Sequence, residues 1–207
     1  MTVTDAIAGL PRRRLGVGDE VLGVQLADAA FVFVDEGLVV LRNAANGVRR
    51  RTITCHAGSG SLILPPQPGE VLVALTDAAL VVMSRADLEV VLAIPAKAAA
   101  LVEGLTATLR QKHAAIANMS RLHHVDRVRE KLIELAQEHG RVGRDGIRLD
   151  FPLTHDLLGE MTGSARETVT RALDELQRDG FVERNGRTYR LHVAPEDLGV
   201  TARTLRH

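Results

Sequence analysis

Arg166, Glu167 and Arg171 combine side-chain types and a spacing that suit the edges of base pairs. An arginine offers paired N–H donors that match guanine O6 and N7, and a glutamate accepts from cytosine N4. Within Arg166-Glu167-Thr168-Val169-Thr170-Arg171 these three fall near the start of one helix, with Arg171 one turn beyond the first pair. An amphipathic helix with such groups at its exposed N-terminal end is what a helix-turn-helix sets into a major groove.

The flanking residues position that helix. Thr154 is placed to cap a first helix by accepting an amide proton near Leu157, and Leu157, Leu158 and Met161 give it an apolar face. Gly163 falls where the turn needs a left-handed residue. Ser164 is expected to cap the second, recognition helix over 165–178, with Val169, Leu173 and Leu176 as its buried stripe. The run from Phe181 to Leu191 alternates on either side of Asn185-Gly186, which predicts a hairpin with a two-residue turn. Upstream, Val125–His139 reads as a helix with Val128, Leu132, Ile133 and Leu135 inward, stopped by Gly140. Ile147–Phe151 reads as a short strand. Together these elements make a winged helix.

The stretch LTHDLLGEMTGSARETVTRALDELQRDGFVERNGRTYRL resembles the DNA-binding domain of the Crp/Fnr family of bacterial transcription regulators, whose recognition helix has the signature R-E-T-V-x-R. The resemblance implies that Arg166, Glu167 and Arg171 read bases and that Thr168 and Thr154 contact phosphates. It implies half-sites similar to TGTGA. Ala165 departs from the family, which usually has Ser or Thr there, and Ser164 is the candidate substitute. Arg187, near the hairpin tip, joins Thr154, Ser164 and Thr168 as an expected DNA-backbone contact. RNA polymerase is a further partner implied by resemblance alone, at the Val142–Asp150 loop.

The formal net charge is +0, so no global basic field announces nucleic acid, and any electropositive surface must be local. Arg166, Arg171, Arg184, Arg187 and Arg190 are its expected makers, which predicts salt-sensitive binding. Aromatic residues make up 2% with no Trp, which argues against base stacking on single strands. With no membrane-length apolar run and no signal-peptide pattern, the expectation is a soluble cytoplasmic chain.

The N-terminal part reads as short strands at Phe31–Val34, Gly37–Leu41, Arg51–Cys55 and Val71–Met83, with Asn46-Gly47 as a hairpin tip. Such punctuation suggests a jelly roll. Asp35–Val39 and Ala74–Leu88 also resemble, less specifically, the family's cyclic-nucleotide-binding-like effector domain. In cyclic-nucleotide-binding relatives a Gly-Glu pair is followed by Arg-Ser, and the arginine neutralises the phosphate. Here Gly58 to Val71 contains no Arg, and Gly69-Glu70 falls where Arg-Ser belongs. A carboxylate there repels a phosphate, so cyclic AMP is not expected to bind in the family manner. The Gly-Ser run could bind an anion through its backbone amides, but reads more simply as a flexible loop. The effector, if one exists, is not named by these residues.

Other sensing chemistries find few ligands. One cysteine, Cys55, is too few for an iron–sulfur cluster. Cys55-His56 suits a thiol switch or haem site less well than it suits a half-buried strand. The adjacent His123-His124 cannot share a metal from one helix face. Arg12-Arg13-Arg14 and Arg49-Arg50-Arg51 read as solvated surface. No cofactor, metal or catalytic group is expected, and so no enzyme.

From Ala96 to His123 the chain favours helix, with Pro95 in its first turn. Ala98, Val102, Leu105, Leu109, Ile116 and Met119 alternate at three-four spacing, broken at Lys112, as a coiled-coil seam would. Val102, Leu105, Leu109, Ile116 and Met119 are the expected homodimer interface, with Lys112 weakening it or meeting a carboxylate of the partner. The expected architecture is α+β: a β jelly roll over 1–94, a central dimerisation helix over 95–124 and a winged helix-turn-helix over 125–207. A homodimeric regulator of inverted repeats in double-stranded DNA is the favoured function. The alternative is an effector-independent architectural or constitutive DNA-binding protein whose β-domain is only a scaffold.

Overall fold

The computed structural model describes residues 2–43, 51–120, 123–194 and 198. The expected hairpin tip at Asn46-Gly47, and Arg49 and Arg50 of the second arginine run, lie outside them. In chain order the elements are α1 (Val3–Ala6), β1 (Arg12–Leu15), β2 (Glu20–Leu22), a 3-10 turn (Gly23–Leu26), β3 (Ala29–Glu36), β4 (Leu38–Asn43), β5 (Thr52–Gly58), β6 (Leu62–Ile63), β7 (Glu70–Ala74), β8 (Ala78–Ser84), α2 (Arg85–Leu92) and α3 (Pro95–Met119). Then follow α4 (His124–His139), β9 (Arg141–Gly143), β10 (Gly146–Leu149), α5 (His155–Thr162), α6 (Arg166–Arg178), β11 (Val182–Asn185) and β12 (Thr188–Leu191). The chain divides into two compact units, 1–114 and 115–207.

The first unit is a jelly roll of two four-stranded antiparallel sheets, β1-β8-β3-β6 and β2-β7-β4-β5. The hydrophobic run Phe31–Val34 in β3 shows how the layers form. Val32 and Val34 point into the sandwich with Val39, Leu41, Ala57, Ile63, Leu72 and Leu80. Phe33 points the other way, onto Leu62, Val81, Met83, Val91, Ala100 and Leu101. Side chains alternate across a strand, so a strand buried on both faces reads as continuously apolar. The two clusters fill the space between the sheets and the space between one sheet and the helices. Arg12–Arg14, expected as plain surface, is strand β1, paired with Val81, Leu80 and Ala79. Its side chains stay largely in solvent, and Arg12 pairs with Asp35 at 2.5 Å. α2 begins with a capping box, in which Ser84 and Asp87 satisfy each other's backbone amides.

The second unit packs α4, α5 and α6 against the antiparallel sheet β11-β12-β10-β9. Val128, Leu132, Leu135 and Ala136 of α4 are buried, while Ile133 is only half-buried. Gly140 ends α4 by a route other than the left-handed turn expected of it, since its backbone is extended. A Cβ there would collide with the Ala136 carbonyl and the Ile147 side chain, so glycine is required for close approach. The segment Val142–Asp150, expected as a loop, is mostly the β9–β10 hairpin, with Ile147 facing Val142. The second hairpin is offset by one residue from expectation. Asn185 pairs with Thr188, so the turn residues are Gly186 and Arg187, and Gly186 supplies the positive φ of 63°. A glycine first in the loop suits a primed turn, whose twist matches the strands.

Among the described residues no single helix is long and apolar enough to cross a membrane.

Candidate nucleic-acid interface

The helix pair at the centre of this surface is built from local signals. Thr154, extended at φ −82° and ψ 160°, caps α5, and its Oγ accepts from the Leu157 amide at 3.1 Å. Gly163 ends α5 in the left-handed region, at φ 63° and ψ 25°. The turn folds back so tightly that the Ser164 amide bonds the Gly159 carbonyl at 3.0 Å. A Cβ on Gly159 would sit 2.7 Å from the Ser164 oxygen. Gly159, which the sequence did not flag, is thus as necessary to the turn as Gly163. Its signal was a small residue in mid-helix beside a turn, and only knowledge of what approaches it gives that signal meaning.

Ser164 does not cap α6. The N-cap is Ala165, which makes no side-chain bond. Ser164 is 2% exposed, with its hydroxyl directed at the Thr162 carbonyl (3.4 Å) and beside His124 Nδ1 (3.2 Å). A side chain enclosed in this way cannot reach a phosphate, so Ser164 is withdrawn from the set of backbone contacts.

α6 divides cleanly into two faces. Val169, Ala172, Leu173 and Leu176 are buried at 0–1% exposure. Arg166, Glu167 and Arg171 are exposed, with Thr168 and Thr170 half-buried beside them. The sequence placed all three outward groups correctly because helical spacing decides the matter. Arg166 lies 3.8 Å from Asp156, with both side chains about two-thirds exposed (66% and 64%). Such a pair is worth little in water and leaves the guanidinium available. With no capping side chain, the first amides of α6 remain at a positive helix end that favours an anion.

Two further elements converge here. His155 Nδ1 lies 2.8 Å from Thr170 Oγ1, which in turn donates to the Arg166 carbonyl at 3.0 Å. The His155 pKa is lowered by burial first, then by Arg184 and Arg166, which together outweigh Asp174 and Asp156. The shift thus reports first an enclosed ring and only second the two arginines beside it, on a chain of zero formal net charge. The wing tip is tied to the start of the helix pair by the Leu153 amide, which donates to the Arg187 carbonyl at 2.8 Å. The Arg187 side chain is exposed. Arg184 Nε donates to the Gly186 carbonyl at 2.7 Å.

Elsewhere the expectations divide. On α3, Val102, Leu109 and Ile116 are exposed at 61%, 55% and 67%, at heptad spacing. Leu105 instead packs partly against the apolar cluster of the first unit, so it is a weaker seam member than expected. Lys112 reaches the Thr54 carbonyl of its own chain at 3.5 Å. The Met119 side chain is outside the described residues. Cys55 and His56 are both buried, at 6% and 3%, more deeply than the half-buried strand expected.

The Gly-Ser run, expected as a loop, forms a hydrogen-bonded turn after β5. The Gly60 amide donates to Val34, the Ser61 amide to Gly58 and the Ser59 hydroxyl to the Asp35 carbonyl at 2.6 Å. The Gly60 and Ser61 amides are committed to the chain, and Glu70 accepts from the Gln67 amide and Thr54 hydroxyl, each at 3.1 Å. With no arginine between Gly58 and Val71, this stretch does not fit a cyclic phosphate.

Comparison with known proteins agrees with the geometry. Residues 126–196 match the Crp-like helix-turn-helix domain. The global nitrogen regulator of Synechocystis sp. is 30% identical over 82 residues, which are 40% of this chain and 36% of that protein. A Crp/Fnr-family transcriptional regulator from Thermus thermophilus has the same fold, with a TM-score of 0.70 at 21% identity over 91% of this chain and 96% of that one. A CooA mutant from Carboxydothermus hydrogenoformans superposes with a TM-score of 0.75 at 18% identity, over 96% and 94% of the two chains. From the recognition helix outward, then, sequence and fold agree: residues 126–196 form a Crp-like helix-turn-helix domain, the chain spans about a third of the length of the curated relative it matches, and its fold is that of the Crp/Fnr-family structures.

Proposed function

We propose that the chain acts as a cytoplasmic homodimer that reads an inverted repeat in duplex DNA and has no catalytic step. Arg166, Glu167 and Arg171 contact bases, and Thr154, Thr168 and Arg187 contact the backbone. The observation that supports this best is the division of α6. Its apolar stripe is buried to the last residue, while its three groove-reading side chains stand exposed around an uncapped helix start. The Thr154 hydroxyl accepts from Leu157 and keeps its own hydrogen to donate to a phosphate. The exposed heptad row Val102, Leu109, Ile116 supports pairing through α3. A twofold dimer would set two recognition helices about one DNA turn apart. We assign 1–94 to the effector-like β-domain, 95–124 to the dimerisation helix and 125–207 to the DNA-binding domain. The β9–β10 hairpin is the surface we assign to RNA polymerase.

Control by cyclic AMP is not part of this reading. A second reading, an effector-independent DNA-binding protein with a structural β-domain, is favoured by the side-chain-filled sandwich and the committed amides of Gly60 and Ser61. Transcription from a bound promoter, with and without small metabolites, separates the two.

The test of the main reading is fluorescence anisotropy at fixed salt, with a duplex carrying inverted TGTGA half-sites against a mixed-sequence duplex. Arg166→Ala and Arg171→Ala should each reduce discrimination by about 1–3 kcal/mol, roughly fivefold to 150-fold. Equal affinity for both duplexes in the unmutated protein would refute base reading by this helix.

A further inference from the structure

We propose that His155 is a positioning residue for the recognition helix and takes up a proton when DNA binds. The inference rests on the reading of α6 as the DNA-facing helix. His155 is the first residue of α5, directly after the capping Thr154. Its Nδ1 is 2.8 Å from Thr170 Oγ1, on the neighbouring helix. The single hydroxyl hydrogen of Thr170 is directed at the Arg166 carbonyl, so Thr170 can only accept from the imidazole. His155 therefore donates from Nδ1 and leaves Nε2 as the basic nitrogen. The bond ties α5 to α6 one turn below Arg166. Any change at His155 reaches the base-reading residues through it.

The Nε2 atom is buried and has no hydrogen-bond partner among the described residues. The charged groups facing the ring are Arg166 and Asp174 of α6, Arg184 of β11, and Asp156 of its own helix. In the free protein burial, and then the two arginines, disfavour the charged imidazole. DNA phosphates alter that balance, because they offset the charge of Arg166 and Arg184 and bring anions towards the ring. Neighbouring negative charge favours the cationic imidazole. The bound state thus holds more protons than the free state, so affinity rises as pH falls through the interval between the two midpoints.

The test is NMR titration of the His155 ring in the full chain from about pH 5 to 8, free and saturated with the TGTGA duplex or the mixed-sequence duplex. The free midpoint is expected below the ordinary value of 6.5, and both duplexes are expected to raise it. In parallel, affinity is measured against pH at fixed salt. His155→Asn keeps a donor near the place of Nδ1 but cannot titrate. It should hold the affinity at about pH 8 within about threefold and flatten the pH dependence that the unmutated protein shows. His155→Ala loses the anchor on Thr170 and should reduce sequence discrimination about tenfold. An unchanged midpoint on DNA, a pH profile retained by His155→Asn, or discrimination retained by His155→Ala would each overturn the proposal. If His155→Ala fails to fold, the titration and the Asn variant decide. If the unmutated protein does not prefer the TGTGA duplex, the base assignments fail, while the ring shift on mixed-sequence DNA still decides the role of His155.

Discussion

Replacing Ala165 by serine should stabilise the DNA-binding unit and tighten its hold on DNA. Ala165 has the extended backbone of an N-cap, φ −69° and ψ 150°, and makes no side-chain bond. Serine fits that conformation without strain, and its hydroxyl can accept from the amide of Thr168, the third residue of the helix. Exchange between alanine and a capping residue is worth about 1 kcal/mol. For a domain of this size that corresponds to a rise in melting temperature of about 4–8 °C. The hydroxyl keeps one hydrogen to donate, and a bond to a charged phosphate contributes about 1.5–3 kcal/mol when well placed. Operator affinity should therefore increase roughly tenfold or more. Thermal denaturation of the full chain by circular dichroism measures the first effect and anisotropy the second. Ala165→Gly is the control, because glycine at an N-cap falls short of serine by only a few tenths of a kcal/mol but offers no hydroxyl. It should recover most of the thermal gain and none of the phosphate contact. If serine leaves the melting temperature unchanged, the helix start is already capped, and the inward placement of Ser164 is wrong.

Other perturbations test the remaining supports. Thr154→Ala removes the bond to the Leu157 amide and should lower the stability of the C-terminal unit by about 1 kcal/mol, read as a lower melting temperature. Gly140→Ala should destabilise by more than that despite a permissive φ, since its Cβ meets the Ala136 carbonyl and Ile147. Urea unfolding should show at least about 1–3 kcal/mol, the usual cost of overpacking. Leu109→Glu places a carboxylate in the middle of the exposed heptad row. Sedimentation should show it shifting the chain to monomer, and half-site binding should replace operator binding.

How far the sequence reached follows from how local each cause was. Thr154, Gly163 and the stripe Val169, Leu173, Leu176 were legible because a cap, a left-handed turn and a helical period act within a few residues. The wing was legible as a hairpin yet displaced by one residue. The pair Asn185–Gly186 announces a turn, whereas the register of Asn185 against Thr188 depends on cross-strand pairing. Ser164 misled for a similar reason. Its chemistry suits a cap, but the tight return over Gly159 turns it inward, so Ala165 stands at the cap instead. The strand at Arg12–Leu15 had no local signal, because its partner is β8, far along the chain. Ser84 and Asp87, by contrast, spelled a capping box three residues apart, a signal that was there to be read. Gly140 and Gly159 show the limit most clearly. Each is fixed by an atom that approaches from another part of the fold.

The β-domain raises a separate question of how a signal could enter at all. Its sandwich interior is filled by Val32, Val34, Leu72 and Leu80, and its other apolar layer by Phe33, Leu62, Met83 and Leu101. The turn that would hold a phosphate has bonded its own amides to Val34 and Gly58. A ligand there would have to break those bonds and find cations that the stretch does not contain. α3, however, carries two chemistries on one rod. Ala100, Leu101 and Leu105 pack on the β-domain, while Val102, Leu109 and Ile116 stand outward. A helix in such a position cannot repack its inner face without turning its outer one, since interiors are close-packed and do not deform smoothly. Under the proposed pairing, that rotation would carry a change in the β-domain to the dimer seam. A substitution such as Leu101→Ala, which loosens the inner face alone, should therefore change dimer affinity before it changes the contacts of α6 with DNA.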